Sequence, residues 1–438
     1  MTDTELRVED GVRAPSDPPT LRTNALRRLI KALGPGLITG ASDDDPSGIA
    51  TYSQAGAQFG YGFGWLMLFS FPLMAAIQEI CARIGRVTGL GISGNIRKYY
   101  SRSLLRAIVV LLLVANIVNL GADLGAMGDA LRLMVGGPAK LYVVLFAVGC
   151  AALEIYSRYD RYVRILKWAT LSLLAYVATA FAVHVPWGSV LRHVVVPSME
   201  WNRDSILMVV AVLGTTITPY CFFWQSSQEA EDEEADPLAH PLLVAPDEAR
   251  AQIGRIRFDT YFGMGLSNLI SLFIIVTTAA TLRAQGITDI QTSAEAAQAL
   301  RPIAGDLAFV LFASGIIGIG LLAVPVLAGS AAYALGEAFG WRTGLSRSPG
   351  EAKAFYGAIA VATIVGVAIN LVAIDPIKAL FWAAVLNGIV AVPLMVVIML
   401  MAANPRVMGS FTLPLPLKVM GWACTLVMAL AAGGLLLV

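Results

Sequence analysis

Three consecutive aspartates, Asp43-Asp44-Asp45, stand in the middle of an apolar stretch and run straight into Pro46-Ser47-Gly48. Carboxylates are hard oxygen donors suited to cations or to holding a proton. In a bilayer core each would cost roughly 2.5–3.5 kcal/mol on insertion scales. Exposure to lipid is therefore excluded, and the three acids must face a wet cavity, a cation, or one another with a shared proton. Pro46 removes a backbone donor and clashes with the preceding turn of a helix, while Gly48 permits unusual dihedrals. The segment 40–48 thus predicts a break inside a spanning helix. Irregular backbone at that depth is tolerated only where it lines a cavity or is buried in protein.

A second apolar stretch carries a comparable interruption, Gly214-Thr215-Thr216-Ile217-Thr218-Pro219-Tyr220. Pro219 leaves the carbonyl of Thr215, four residues back, without its helical donor. The three threonine hydroxyls add further oxygen. Taken alone, such a sequence is usually a structural proline kink.

The elements that must position these residues are membrane helices. The 438 residues are 57% hydrophobic and 14% charged, against about 25% charged in soluble domains. Apolar runs long enough to cross a hydrocarbon core of about 30 Å recur along the chain. We predict eleven spans, near residues 31–57, 61–83, 104–130, 139–156, 162–185, 204–231, 258–283, 304–338, 352–373, 377–402 and 414–437. The fold class is an all-α polytopic membrane protein. Residues 1–25 read as a flexible cytoplasmic tail, and 26–438 as one transmembrane domain. Net charge is +1, which gives no field for nucleic acid. Cys81, Cys150, Cys221 and Cys424 lie in or beside apolar segments without metal or disulfide spacing.

Most of the 31 lysines and arginines, including Arg97-Lys98, Arg102, Arg106, Arg158, Arg161, Arg164 and Lys167, fall on one side if the N-terminus is cytoplasmic. An odd span count then places the C-terminus outside. The acidic run 229–236 continues the sixth span into the cytoplasm; it reads as a solvated helix end followed by a loose Pro-rich linker. The two breaks fall in the first and sixth spans. These open two five-helix halves, about 31–185 and 204–402, with 414–437 as an extra helix. Broken helices at matching positions point to an inverted-repeat transporter.

Gly34-Pro35-Gly36, Asp45-Pro46, Arg83-x-Gly85-x-Val87-Thr88-Gly89 and Gly214-x-Thr216-x-x-Pro219 resemble the Nramp (natural resistance-associated macrophage protein) family from about residue 30 to the end. That resemblance implies a 5+5 inverted repeat of the amino acid–polyamine–cation (LeuT-type) fold and transport of divalent transition metals, usually with protons. It implies Asp45 as the central ligand, with Asp44, Thr215, Thr218, Gly48 and Asn387 around it. The family's Asp-Pro-Gly-Asn reads Asp45-Pro46-Ser47-Gly48 here, and its Met-Pro-His reads Thr218-Pro219-Tyr220. Without the methionine thioether the set is all oxygen, which suits hard ions such as Mg²⁺, or Mn²⁺ with little selectivity. In this respect the chain is similar to Nramp-related magnesium transporters.

His184, His193 and His240 lie at span ends or in loops, so proton coupling through histidine is not expected. Asp123, near the family's span 3 glutamate, is a candidate proton relay or a hydrogen-bonded structural carboxylate. Asp129 and Glu79 are further candidates, Glu79 with the stronger structural reading. Asn387 reads equally as an interhelical hydrogen-bonding residue.

The leading expectation is a secondary transporter or facilitator of divalent cations: not an enzyme, without cofactor, monomeric, and resident in a bacterial inner membrane. The alternative on the same fold is a carrier of an amino acid or amine. An intramembrane aspartyl protease would need two facing aspartates in Tyr-Asp and Gly-x-Gly-Asp contexts. Tyr159-Asp160 sits in a basic loop, and Met127-Gly128-Asp129 lacks the first glycine. A metal sensor that keeps the fold without turnover is a fourth reading.

Overall fold

The computed structural model describes residues 35–156, 173–235, 239–371, 375–435 and 437. The expectations for the N-terminal tail, for the first half of the fifth span and for the basic loop before it lie outside the described residues. What is described is helical, and no strand occurs among these residues. Eight helical stretches are long and apolar enough to cross a membrane, and Lys353–Ile369 is a shorter apolar helix. The predicted count of eleven is therefore not reached by length and composition alone. In that count the second half of the first span and the whole second span form one stretch, Pro46–Thr88, and the ninth span is the shorter helix Lys353–Ile369.

The first span divides into α1 (Pro35–Asp43) and α2 (Pro46–Phe59). Asp45 caps α2 with an extended backbone, φ −60° and ψ 170°, and its side chain accepts the N–H of Gly48. An aspartate cap followed by proline at the first helical position is a strong local start signal, since that N–H has no helical partner in any case. The sequence that ends one half-helix therefore starts the next. The second span is α3 (Gly64–Thr88) and the third α4 (Arg102–Val135). The sixth divides into α5 (Arg203–Thr216) and α6 (Pro219–Ala235). Ile217 leaves the helical region with φ −120° and ψ 71°, and Pro219 opens α6. The seventh span is α7 (Ala249–Thr281), the eighth α8 (Ala308–Phe339), the tenth α9 (Pro376–Ala402) and the last α10 (Leu415–Gly434).

Two glycine pairs let the broken spans sit close to their neighbours. A Cβ on Gly40 of α1 would lie 2.4 Å from the backbone carbonyl of Gly263 in α7, and one on Gly214 of α5 would lie 2.1 Å from the carbonyl oxygen of Ala384 in α9. Such backbone-to-backbone approach is how membrane helices gain dispersion contacts without a hydrophobic drive. Outward residues such as Val144, Leu145 and Val148 remain exposed, as a lipid-facing surface requires.

The acidic run after the sixth span differs from its expected solvated state. Helix α6 continues to Ala235, with Glu229 and Glu233 buried. Glu229 pairs with Arg255. Glu231 accepts from the Tyr333 hydroxyl and from the backbone N–H groups of Leu345 and Ser346. The following linker is also held: the N–H of Leu242 donates to the carbonyl of Arg86 at 3.2 Å, and that of Leu243 to Val87 at 3.2 Å. The cations and amides that bury these acids come from distant parts of the chain, so charge density along the sequence did not reveal them.

Candidate functional site

The two breaks meet. The Tyr220 hydroxyl, in the first turn of α6, donates to the carbonyl of Ser42 at the end of α1, 2.7 Å away. Ser47 and Thr215 hydroxyls, one from each broken span, lie 3.3 Å apart. The ends of α1 and α5 carry helix carbonyls without intrahelical donors, and their partial negative charge favours a cation.

Asp45 is fully buried. Its Oδ1 accepts from the Ser47 hydroxyl at 2.5 Å and the Gly48 N–H at 2.9 Å. Its Oδ2 accepts from Asn119 Nδ2 at 2.8 Å and lies 3.5 Å from the Tyr220 hydroxyl. Gly48 leaves little spare room: a Cβ there would meet Thr215 Oγ1 and Tyr52 Cε2, both at 3.3 Å. The facing threonine and tyrosine fill the space beside Gly48. Among the described residues no lysine or arginine pairs with Asp43, Asp44 or Asp45.

The other two aspartates point elsewhere. Asp43 Oδ1 accepts from the Thr218 hydroxyl at 3.0 Å, and its Oδ2 is 3.4 Å from the Ser267 hydroxyl. Asp44 Oδ1 is within reach of Ser267 at 3.0 Å and Ser271 at 3.1 Å, both on α7. A cavity of about 40 Å³ adjoins Asp44 and Ser267, room enough for a water molecule. No three Asp, Glu, His or Cys side chains converge into a metal cage among the described residues. Any cation at the breaks would therefore be held by at most two carboxylates assisted by hydroxyl, amide and carbonyl oxygens. The Cys221 sulfur lies 4.0 Å from Asp43 Oδ1, on the Asp43 side of the break.

Asn387 of α9 donates from Nδ2 to Asn119 Oδ1 at 3.0 Å. Asp123 is buried, with Oδ2 accepting from Asn119 at 3.2 Å and Oδ1 without a hydrogen-bond partner. Glu79 is ion-paired with Arg83, and Asp129 with Arg132, each within its own helix. The structure thus brings Asp45, Asn387 and Asp123 around one residue, Asn119, with Gly48 on the other oxygen of Asp45 and Thr215 beside Ser47. It sets Asp44 and Thr218 on the neighbouring serine side. Sequence reasoning passed over Asn119, Ser47, Ser267 and Ser271. Two spacings could have shown all but Ser47: Asn116, Asn119 and Asp123 at three and four residues, and Ser267 and Ser271 at four, each marking one polar face of an apolar helix.

The family model for natural resistance-associated macrophage protein-like proteins matches residues 36–438. The chain belongs to the Nramp family. Among curated Nramp relatives, the divalent metal cation transporter MntH of Yersinia enterocolitica is 27% identical over 312 residues, covering 68% of this chain and 71% of the relative. The manganese transporter of Eremococcus coleocola superposes with a TM-score of 0.75 at 17% identity, over 98% of this chain and 90% of that one. Mhp1, a nucleobase-cation-symport-1 family transporter, superposes with a TM-score of 0.52 at 14% identity, over 92% of each chain. This Nramp chain thus has the inverted-repeat, LeuT-type fold, with its first and sixth spans broken.

Proposed function

We propose that this chain carries divalent metal cations across a membrane as a secondary transporter or facilitator, not as an enzyme. The cation passes through an all-oxygen site at the two breaks, and the favoured substrates are hard ions, Mg²⁺ and Mn²⁺. The observation that carries this reading is the buried Asp45 carboxylate, which has hydroxyl and amide groups but no lysine or arginine beside it. A buried carboxylate without a fixed cation is costly; a mobile divalent ion relieves that cost. Asp45 is the central ligand. Thr215 lies beside it, with Asn387 one hydrogen bond behind Asn119. Asp44 and Thr218 form a second ring on the Asp43 side, and Gly48 keeps the wall free of a side chain. Mg²⁺ requires hard ligands and retains several waters, which agrees with a site poor in carboxylates and rich in hydroxyls.

Transport proceeds without a coupled proton in this reading. Asp129 and Glu79 are held in ion pairs, and Asp123 serves as a structural acceptor. The protein acts as a monomer forming a single transmembrane domain of the bacterial inner membrane, with its N-terminus in the cytoplasm. The test is uptake of Mg²⁺, Mn²⁺ and Ca²⁺ into proteoliposomes containing a pH dye, against a metal-free control. Mg²⁺ uptake without internal acidification is the expected result. Strong Mn²⁺ preference in excess Ca²⁺, or acidification that tracks metal uptake, overturns the hard-ion, uncoupled reading.

A further inference from the structure

We propose that Asn119 is the positioning residue of the site. Its single amide fixes the Asp45 carboxylate and the Asn387 amide in the orientations from which both offer oxygen to a divalent cation. This inference rests on the transport reading above and names a residue that no family motif in the chain contains.

An asparagine amide has two N–H hydrogens and one carbonyl oxygen, and at Asn119 each of the three is engaged. Nδ2 donates to Asp45 Oδ2 at 2.8 Å and to Asp123 Oδ2 at 3.2 Å. Oδ1 accepts from Asn387 Nδ2 at 3.0 Å. Asn119 is fully buried, so no water stands in for a lost partner. One residue on the third span thereby ties the break of the first span to the tenth.

The chemistry of an amide is what this place requires. A lysine or arginine here would neutralise Asp45 and compete with the substrate. A third carboxylate would repel Asp45 and Asp123. A neutral amide donates to both carboxylates while leaving their charge for the cation. It also fixes Asn387: with Nδ2 committed to Asn119, the Asn387 oxygen is the atom left to meet a metal. Partners behind a metal ligand that set its orientation typically change affinity by about 10–100-fold when removed. Asn116, three residues earlier, makes the useful control. It donates to the Leu327 carbonyl at 3.2 Å rather than to the site.

The experiment measures Mn²⁺ and Mg²⁺ uptake in proteoliposomes, separating KM from Vmax, for Asn119→Leu, Asn119→Ser, Asn387→Leu, Asn116→Leu and the Asn119→Leu/Asn387→Leu double variant. Asn119→Leu is expected to raise KM by about tenfold or more with a much smaller change in Vmax. If Leu at this site prevents folding, Asn119→Ser, which keeps one donor, reports an intermediate KM. Asn116→Leu keeps the wild-type KM. The double variant falls short of the product of the two single effects, because both removals sever the bond between Asn119 and Asn387. A wild-type KM in the folded Asn119 variants overturns the inference, and so do independent, multiplying effects in the double variant. Loss of uptake in Asp45→Ala with a silent Asn119 variant removes this inference alone; full uptake in Asp45→Ala removes the transport reading itself.

Discussion

The two oxygens of Asp45 have different partners, and that difference divides the site. Oδ1 belongs to the local turn, taking the Ser47 hydroxyl and the Gly48 N–H, so it holds α2 in place. Oδ2 faces Asn119 and Tyr220 and is the oxygen that a cation would share. In the proposed hard-ion reading Thr218 bears on ion choice because it stands where the family has its methionine, although its hydroxyl, like the Cys221 sulfur, meets Asp43. Thr218→Met introduces a thioether, a soft donor, and should raise the uptake of Mn²⁺ relative to Mg²⁺. It also removes the hydroxyl that serves Asp43 at 3.0 Å, at a cost of about 1–3 kcal/mol for a buried acceptor left without its donor. Competition uptake reads the first effect and thermal unfolding the second; an unchanged Mn²⁺ to Mg²⁺ ratio would contradict the ligand-softness argument. Cys221→Ser gives the converse result. Its sulfur is beside Asp43 and not Asp45, so ion preference should be retained; a loss of Mn²⁺ uptake would move the site toward Asp43.

At the scale of elements, the breaks were legible because proline and glycine interrupt apolar runs, and no soluble context explains three aspartates there. The cap at Asp45 and the restart at Pro46 follow from local chemistry alone. Asn119 was not legible in the same way. An asparagine in an apolar helix has an ordinary interhelical reading, and its partners Asp45 and Asn387 lie 74 and 268 residues away. The first described turn of α1 is held by another long-range contact: Asp259 on α7 accepts the N–H groups of Gly36 at 2.7 Å and Leu37 at 3.0 Å. This is an N-cap supplied by a neighbouring span. Asp259→Ala should cost about 1 kcal/mol, the usual effect of a lost cap, and should raise hydrogen exchange in the first turns of α1 first. Exchange that rises equally in α1 and α2 would contradict a cap confined to the start of α1.

At the scale of the molecule, acidic side chains of α6 tie it to the neighbouring helices and turns. Glu229 binds Arg255, Glu234 binds Arg347, and Glu231 gathers Tyr333 with the turn at 345–346. Glu337 of α8 takes the Ser227 hydroxyl at 2.7 Å and the Gly94 N–H at 2.9 Å. Of the acidic run expected to be solvated, Asp232 and Glu234 are exposed, whereas Glu229 and Glu233 are buried; that burial depends on cations and amides folded in from elsewhere. At the opposite end a cavity of about 170 Å³ runs past Ala50, Gln54 and Gln58 to Asp204, Asp289 and Lys378. Glu231→Gln should therefore loosen one end only. Hydrogen exchange is expected to rise across 343–348 while the Ile290 amide, held by Gln54 at 2.8 Å, stays protected. A uniform rise at both ends would contradict this division.

The most direct measurement is metal uptake by Asp45→Ala in proteoliposomes, with folding checked by thermal unfolding and with Asn116→Leu as a folded control. A site built on one buried carboxylate predicts that Asp45→Ala loses uptake of every divalent ion tested while the control transports normally. Uptake of Mg²⁺ or Mn²⁺ at the wild-type rate in Asp45→Ala would contradict it.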